Sequence, residues 1–390
     1  MRVLLVDPAA FHPTDTARLA GDLARAGATV HLAAAPSPRE AWPDAEGCRR
    51  TTEFAPFVVA GDARRSAWRR VRRALDLPRA WSRVGRRVAE LAPDVVHLLW
   101  PLAPRLEARA LAALGRRGVA TAVTVHNARR RPGEPWHPAG LAALGRAAGA
   151  LIAPSRATAE DLVAGGFAAR ERVHVVVPPL PPVEVVERAS ARRELGLPAD
   201  VPIVLCFGIV REYKGLAVMV EALRLLVDRR PDVLLLVAGA ATAARARDLR
   251  RAIARAGVEP HVRLELDWLE PGRAARAFAA ADVVALPYLE ATQSGVGWRA
   301  LAHERAIVAS AVGGLAELIG EDRERLLVPP SNAPALAETL ASLLADRAAT
   351  DRVGRRLAAR ARLDRDAGRS AAALLGAYRA AGGGRRGTPE

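Results

Sequence analysis

Of the 58 lysine and arginine residues, 57 are arginine, and the one lysine, Lys214, sits in the run Phe207-Gly208-Ile209-Val210-Arg211-Glu212-Tyr213-Lys214-Gly215. Where arginine supplies every other positive charge, a retained lysine points to a site that needs a compact, strongly hydrated ammonium. Arg211 stands three residues earlier, in a loop between the apolar run Ile203 to Phe207 and a segment with apolar residues at Leu216, Val220 and Leu223. Two cations at a strand-to-helix turn, beside the backbone N–H groups of a helix start, suit a diphosphate, whose oxygens take charge-assisted bonds from ammonium and guanidinium. The plain alternative is a solvated loop with an Arg211–Glu212 surface pair.

A second run, Leu286-Pro287-Tyr288-Leu289-Glu290-Ala291-Thr292-Gln293-Ser294-Gly295-Val296-Gly297, again leads from a strand end into a helix. Gly295 lets backbone N–H groups approach an anion, and the Ser294 hydroxyl suits either a phosphate contact or a helix cap. His126, in Val125-His126-Asn127, ends a first-half strand and is placed to touch a reacting group or to serve as a hydrogen-bonded structural residue. Gly313-Gly314 permits close ligand approach or a tight turn.

Short apolar runs that alternate with longer segments of helical period are what must position these residues. Candidate strands are Val3 to Val6, Thr29 to Leu32, Val95 to Leu99, Ala120 to Val125, Ala150 to Ala153 and Val173 to Val177. A second series follows at Ile203 to Phe207, Val233 to Val237, Val262 to Leu264, Val283 to Leu286, Ile307 to Ala309 and Leu326 to Val328. The alternation indicates an α/β protein with two doubly wound parallel sheets. The proline-rich Val177 to Pro182 breaks regular structure. The division expected is 1–180, a linker 181–198, a second domain 199–365, a terminal helix 366–381 and a flexible tail 382–390. In doubly wound sheets ligands bind beyond the carboxyl ends of the strands, and a cleft between the two domains is the default site.

With 390 residues, 51% hydrophobic and 26% charged, disorder, collagen and disulfide scaffolds are excluded. Cys48 and Cys206 are far apart and form no metal-ligand cluster, so neither zinc nor a disulfide is indicated. No apolar run reaches the roughly 18 to 20 residues of a membrane span, and Val3-Leu4-Leu5-Val6 is too short for a signal segment. A cytoplasmic protein is expected. The net charge of +16 would attract polyanions, but aromatics are only 4% and no nucleic-acid-binding pattern appears, so no specific nucleic acid is expected. Ten arginines crowd residues 64–87 against a single Asp76, with Trp68, Val71 and Leu75 at helical spacing. Trp68, Arg69, Arg72 and Arg73 would then face an anionic membrane surface, placing the protein peripherally at the inner face of the plasma membrane, or else form a solvated face with Trp68 in the core.

Over roughly residues 1 to 370 the chain resembles the retaining glycosyltransferases of family 4, through Arg211-Glu212-Tyr213-Lys214-Gly215, Gln293-Ser294-Gly295-Val296, the stretch Ala311 to Ile319, and Thr124-Val125-His126-Asn127. The resemblance implies the GT-B fold, with two Rossmann-like domains facing a central cleft, acceptor domain first, nucleotide-sugar donor domain second, and a C-terminal helix crossing back to the first. It implies metal-independent transfer of a hexose from a nucleoside-diphosphate sugar to a hydroxyl acceptor, with no cofactor or metal. Catalytic roles would fall to His126, Arg211 and Lys214, and donor binding to Gly208, Glu290, Ser294, Gly295, Val296, Gly313 and Gly314.

The departures are specific. Where many members carry two glutamates eight positions apart, the second holding the ribose, this chain has Ala291 and Arg299, with Glu290 one residue off. The first loop, Pro8 to Pro13, lacks its glycines, Pro178-Pro179-Leu180 stands where Pro-His-Gly is usual, and Glu304 and Ala306 replace a glycine and a proline. The acceptor expected is an envelope glycan, glycolipid or lipid-linked saccharide. The alternatives are a catalytically silent sugar-nucleotide- or glycan-binding paralogue, and a nucleotide-sugar epimerase of the same fold.

Overall fold

The computed structural model describes residues 1–37, 41–55, 63–129 and 138–383, with side chains in the helix Ala63–Leu91 described from residue 76 onward. The side chains of Trp68, Arg69, Arg72 and Arg73 therefore lie outside the described residues. Two compact units divide the described residues: those up to Arg129, 138–178 and 366–383 form the first, and Pro179–Arg365 the second.

The first unit is a seven-stranded parallel sheet of β1 (Arg2–Asp7), β2 (Thr29–Ala34), β3 (Cys48–Thr52), β4 (Val95–Leu98), β5 (Ala120–Thr124), β6 (Ala150–Ala153) and β7 (Val173–Val175). Their order is β3-β2-β1-β4-β5-β6-β7, so successive connections diverge between β1 and β4. Helices cover both faces, and the central strands are accordingly continuous apolar runs; Leu4, Leu5 and Val6 of β1 are fully buried. The strand absent from the sequence reading is β3. Its residues Cys-Arg-Arg-Thr-Thr pair in register with β2 from Val30↔Cys48 to Ala34↔Thr52, on an edge where one half-solvated strand needs no apolar run.

The helix Ala367–Gly383 belongs to this unit and buries Ala371, Leu374, Leu375, Ala377 and Tyr378 in the core that holds Val3, Leu5 and Ile152. Tyr378 OH lies 2.7 Å from Nδ1 of the buried His97, whose Nε2 lies 2.8 Å from Thr124 Oγ1. Ser370 Oγ donates to Val177 O.

The second unit is a six-stranded parallel sheet of β8 (Ile203–Phe207), β9 (Leu234–Ala238), β10 (Val262–Glu265), β11 (Val283–Leu286), β12 (Ala306–Ser310) and β13 (Leu327–Val328), in the order β10-β9-β8-β11-β12-β13. Inside the stretch 181–198, read from sequence as linker, Arg188–Glu194 is a helix docked on this unit. Its Arg192 is only 1% exposed and fully engaged: Nε donates to Ala280 O (3.0 Å), Nη1 to Val201 O (3.0 Å) and Nη2 to Asp282 Oδ2 (2.8 Å). A buried charge persists only with such partners, and the prolines before it hid a helix anchored by charge instead of by an apolar stripe. Among the described residues no helix is long and apolar enough to cross a membrane.

Candidate functional site

At the carboxyl end of β8 the chain turns at Gly208 with φ +96°. A Cβ at this position would come within 2.4 Å of Lys214 Nζ and 3.4 Å of Val296 Cγ2, so the bare glycine backbone is what lets these two approach. Lys214 ends the short 3₁₀ turn Glu212–Lys214 and is 8% exposed. Its ammonium donates to Phe207 O at 2.9 Å and lies 5.7 Å from the Tyr288 ring centroid. Phe207, Gly208, Pro287 and Tyr288 help to form the recess in which it sits. A carbonyl oxygen and an aromatic face are both favourable neighbours for a partly desolvated ammonium. The Lys214 charge also acts against the burial that pushes the neighbouring Cys206 thiol up to about 12, which leaves that thiol protonated and unreactive.

Two glycines not singled out in the sequence frame this ammonium. Gly215, at φ +65°, packs on Pro287 so closely that a Cβ would stand 1.9 Å from its carbonyl oxygen. Gly239, after β9, backs Gly208, and its Cβ would enter the Gly208 backbone at 2.5 Å. Both signals are tertiary: the need for glycine arises from a neighbouring strand end, which Val237-Ala238-Gly239-Ala240 does not display.

Ser294 is the N-cap of the helix Gly295–Ala302. Its Oγ accepts from Gly297 N at 3.1 Å and lies 3.4 Å from Tyr288 OH, so the hydroxyl is committed to capping. Gly295 is exposed with open space beside it, and Val296 reaches toward Gly208, bringing the helix start and the lysine loop together. Gly313, at φ +46°, lies against Ala291, where a Cβ would meet the carbonyl oxygen at 1.7 Å; Gly314 caps the short helix Leu315–Ile319. Gly313 thus braces the loop that carries Glu290. Glu290 itself is exposed and makes no hydrogen bond or ion pair among the described residues, and Arg299 is half-buried, likewise without an ion pair. Arg211 is exposed at the N-cap of the 3₁₀ turn. Glu212 pairs with Arg245 at 3.0 Å, and among the described residues no Arg211–Glu212 ion pair forms.

His126 lies in the first unit, just past β5. Its ring stacks on Trp100 at 3.5 Å and 4°, and Nε2 donates to Leu99 O at 3.1 Å. Phe11 and His12 contact the same indole, each with ring centroids 5.5 Å away. The loops after β1, β4 and β5 thus meet where the strand order reverses, the position at which doubly wound sheets bind ligands. The loop after β1 is held without glycine by Asp7, whose Oδ1 accepts from Ala9 N and Ala10 N and Oδ2 from Thr16 Oγ1. Among the described residues no group of three or more His, Cys, Asp or Glu side chains is placed to hold a metal ion.

Comparison with known proteins accounts for both units. Residues 14–182 match the family described as Glycosyltransferase Family 4, and residues 201–346 match Glycosyl transferases group 1. The D-inositol 3-phosphate glycosyltransferase of Xylanimonas cellulosilytica is 36% identical over 270 residues, 63% of this chain and 64% of that one. The protein of the same name from Corynebacterium glutamicum is 33% identical over 168 residues, 42% of this chain and 40% of its own length. The matched regions thus span less than two thirds of these relatives. Among solved structures, sucrose-phosphate synthase from Thermosynechococcus elongatus superposes with a TM-score of 0.74 at 22% identity, over 97% of this chain and 98% of that one. Anabaena HepE in complex with UDP and glucose superposes with a TM-score of 0.72 at 18% identity, over 96% and 98%. The fold is therefore GT-B, and by both of its units the chain belongs to the family 4, group 1 glycosyltransferases.

Proposed function

We propose that the protein transfers a hexosyl group from a nucleoside-diphosphate sugar to a hydroxyl acceptor with retention of anomeric configuration and without a metal. The observation that carries this reading is Lys214: the chain's one lysine, buried beside Gly208 and the start of the helix Gly295–Ala302. In the reaction the bond from C1 of the sugar to the β-phosphate oxygen breaks, the acceptor oxygen bonds to C1, and the acceptor proton passes to the departing phosphate. Negative charge grows on the diphosphate as this happens, and a pre-placed ammonium with open helix N–H groups stabilises it more than the ground state. Arg211 adds a second cation from the rim, and His126 orients the acceptor or the sugar. UDP is the first nucleotide to test, because HepE is described in complex with UDP and UDP-glucose.

The acceptor assigned is an envelope glycan, glycolipid or lipid-linked saccharide, reached from the cytoplasmic membrane face by the arginine-rich stretch 64–87. The relatives' names put D-inositol 3-phosphate among the acceptors to assay beside them. The test is incubation with UDP-glucose and each acceptor, with and without EDTA, followed by NMR of the product anomer. Free UDP and an α-linked product in both conditions are expected. An inverted product or EDTA sensitivity overturns the mechanism, and nucleotide binding without transfer to any acceptor identifies a silent paralogue.

A further inference from the structure

His97, on β4 of the first unit, is 1% exposed. Burial, helped by the charge of His126, pushes it down to about 3, so near neutral pH its ring carries a single proton. Nδ1 lies 2.7 Å from the hydroxyl oxygen of Tyr378, and Nε2 lies 2.8 Å from Oγ1 of Thr124, the last residue of β5. One of these nitrogens donates and the other accepts.

Tyr378 decides which. It is fully buried, and among the described residues its hydroxyl makes no hydrogen bond except to His97. Were Nδ1 protonated, the phenol proton would be buried without an acceptor, at the full desolvation penalty of an unmade bond. The phenol therefore donates to a bare Nδ1, and the ring proton sits on Nε2 and is donated to Thr124 Oγ1. The Thr124 hydroxyl cannot return its own proton to Nε2, and among the described residues no other acceptor takes it.

Ala120, Thr121, Ala122 and Val123 are buried, whereas Thr124 is half-buried, at the carboxyl end of the strand and two residues before His126. The loops after β1, β4 and β5 meet at this end, where the strand order reverses and a doubly wound sheet receives its ligand. A hydroxyl oxygen that already accepts from Nε2 is left with its proton to give. We propose that Thr124 is a specificity-determining residue of the transfer reaction: its hydroxyl donates to an oxygen of the saccharide bound at this end of the first sheet, and His97 and Tyr378 are the positioning residues that keep it a donor. The saccharide is taken from the proposed transferase activity; the direction of the hydrogen bonds stands without it.

Long-range proton–nitrogen NMR of the full chain with isotope-labelled histidine reads the tautomer, with His97 assigned by the shifts that Tyr378→Phe causes. A protonated Nε2 and a bare Nδ1 are expected; the reverse, or an even mixture, overturns the proposal. Release of UDP from UDP-glucose, with methyl glucoside and with water as acceptors, reads the ligand contact. Thr124→Val keeps the shape of the side chain and drops the hydroxyl, so kcat/KM should fall roughly fivefold, about the worth of one hydrogen bond, whereas Thr124→Ser keeps the hydroxyl and should stay within about twofold of wild type. A Thr124→Val as active as wild type, or a Thr124→Ser as weak as Thr124→Val, is what packing alone predicts and overturns the proposal. A wild type that releases no UDP refutes the transferase reading, and the nitrogen spectrum then decides the donor assignment by itself.

Discussion

At Gly208 an added Cβ would clash, at 2.4 Å, with the Lys214 ammonium at the far end of a flexible side chain and meet Val296 Cγ2 at an ordinary 3.4 Å, whereas at Gly239 it would enter the Gly208 backbone at 2.5 Å. Gly208→Ala should therefore fold, losing about 1–2 kcal/mol to its left-handed backbone, while displacing the ammonium and weakening nucleoside-diphosphate binding at least tenfold in calorimetric titration. Gly239→Ala should lower the thermal midpoint further, because backbone has to move. Lys214 was legible as the one lysine among 58 basic residues, but Gly239 was not, since its requirement belongs to the pairing of β8 with β9. A departure that was legible also has a physical cost: Glu304, where a glycine is usual, takes φ +58° and holds Arg362 at 2.8 Å. Glu304→Gly should match or exceed wild type in thermal stability and Glu304→Val fall below it, the β-branched residue being the worse fit to that backbone.

The helix Gly295–Ala302 begins with Ser294, whose hydroxyl takes the Gly297 N–H. Ser294→Ala should cost about 1 kcal/mol in chemical denaturation, the usual worth of an N-cap, while Ser294→Asp restores the cap but sets a carboxylate where a diphosphate would bind, restoring stability and not nucleotide affinity. Twelve strands were legible because buried parallel strands are apolar runs; Val283 to Leu286 is a clear instance. The edge strand Cys48–Thr52 and the helix Arg188–Glu194 were not. The first gains its order from backbone pairing with β2, the second from the Arg192–Asp282 contact, and neither carries an apolar period. The helix Ala367–Gly383 was legible as a helix, whereas its hold on the first unit through Tyr378 and His97 depends on residues 281 apart.

Over the whole molecule, each unit contains a histidine that burial keeps neutral: His97 is pushed down to about 3 in the first and His303 to about 4 in the second. For a base whose folded pKa is depressed, the unfolded chain binds the proton first, so stability is complete above about 6.5 and is lost as pH falls below it. At pH 5 the loss should be about 2 kcal/mol for the first unit. Asp7, whose carboxyl burial holds above its ordinary value, acts in the opposite sense. A denaturation midpoint that stays flat from pH 7 to pH 5 would contradict this. The central claim is that Lys214 holds the diphosphate of a sugar nucleotide, and its most direct measurement is the thermal midpoint of wild type and Lys214→Ala with saturating UDP, GDP, ADP and TDP. One nucleotide is expected to raise the wild-type midpoint and to leave that of Lys214→Ala unmoved. Equal stabilisation of both proteins, or of neither by any nucleotide, would contradict it.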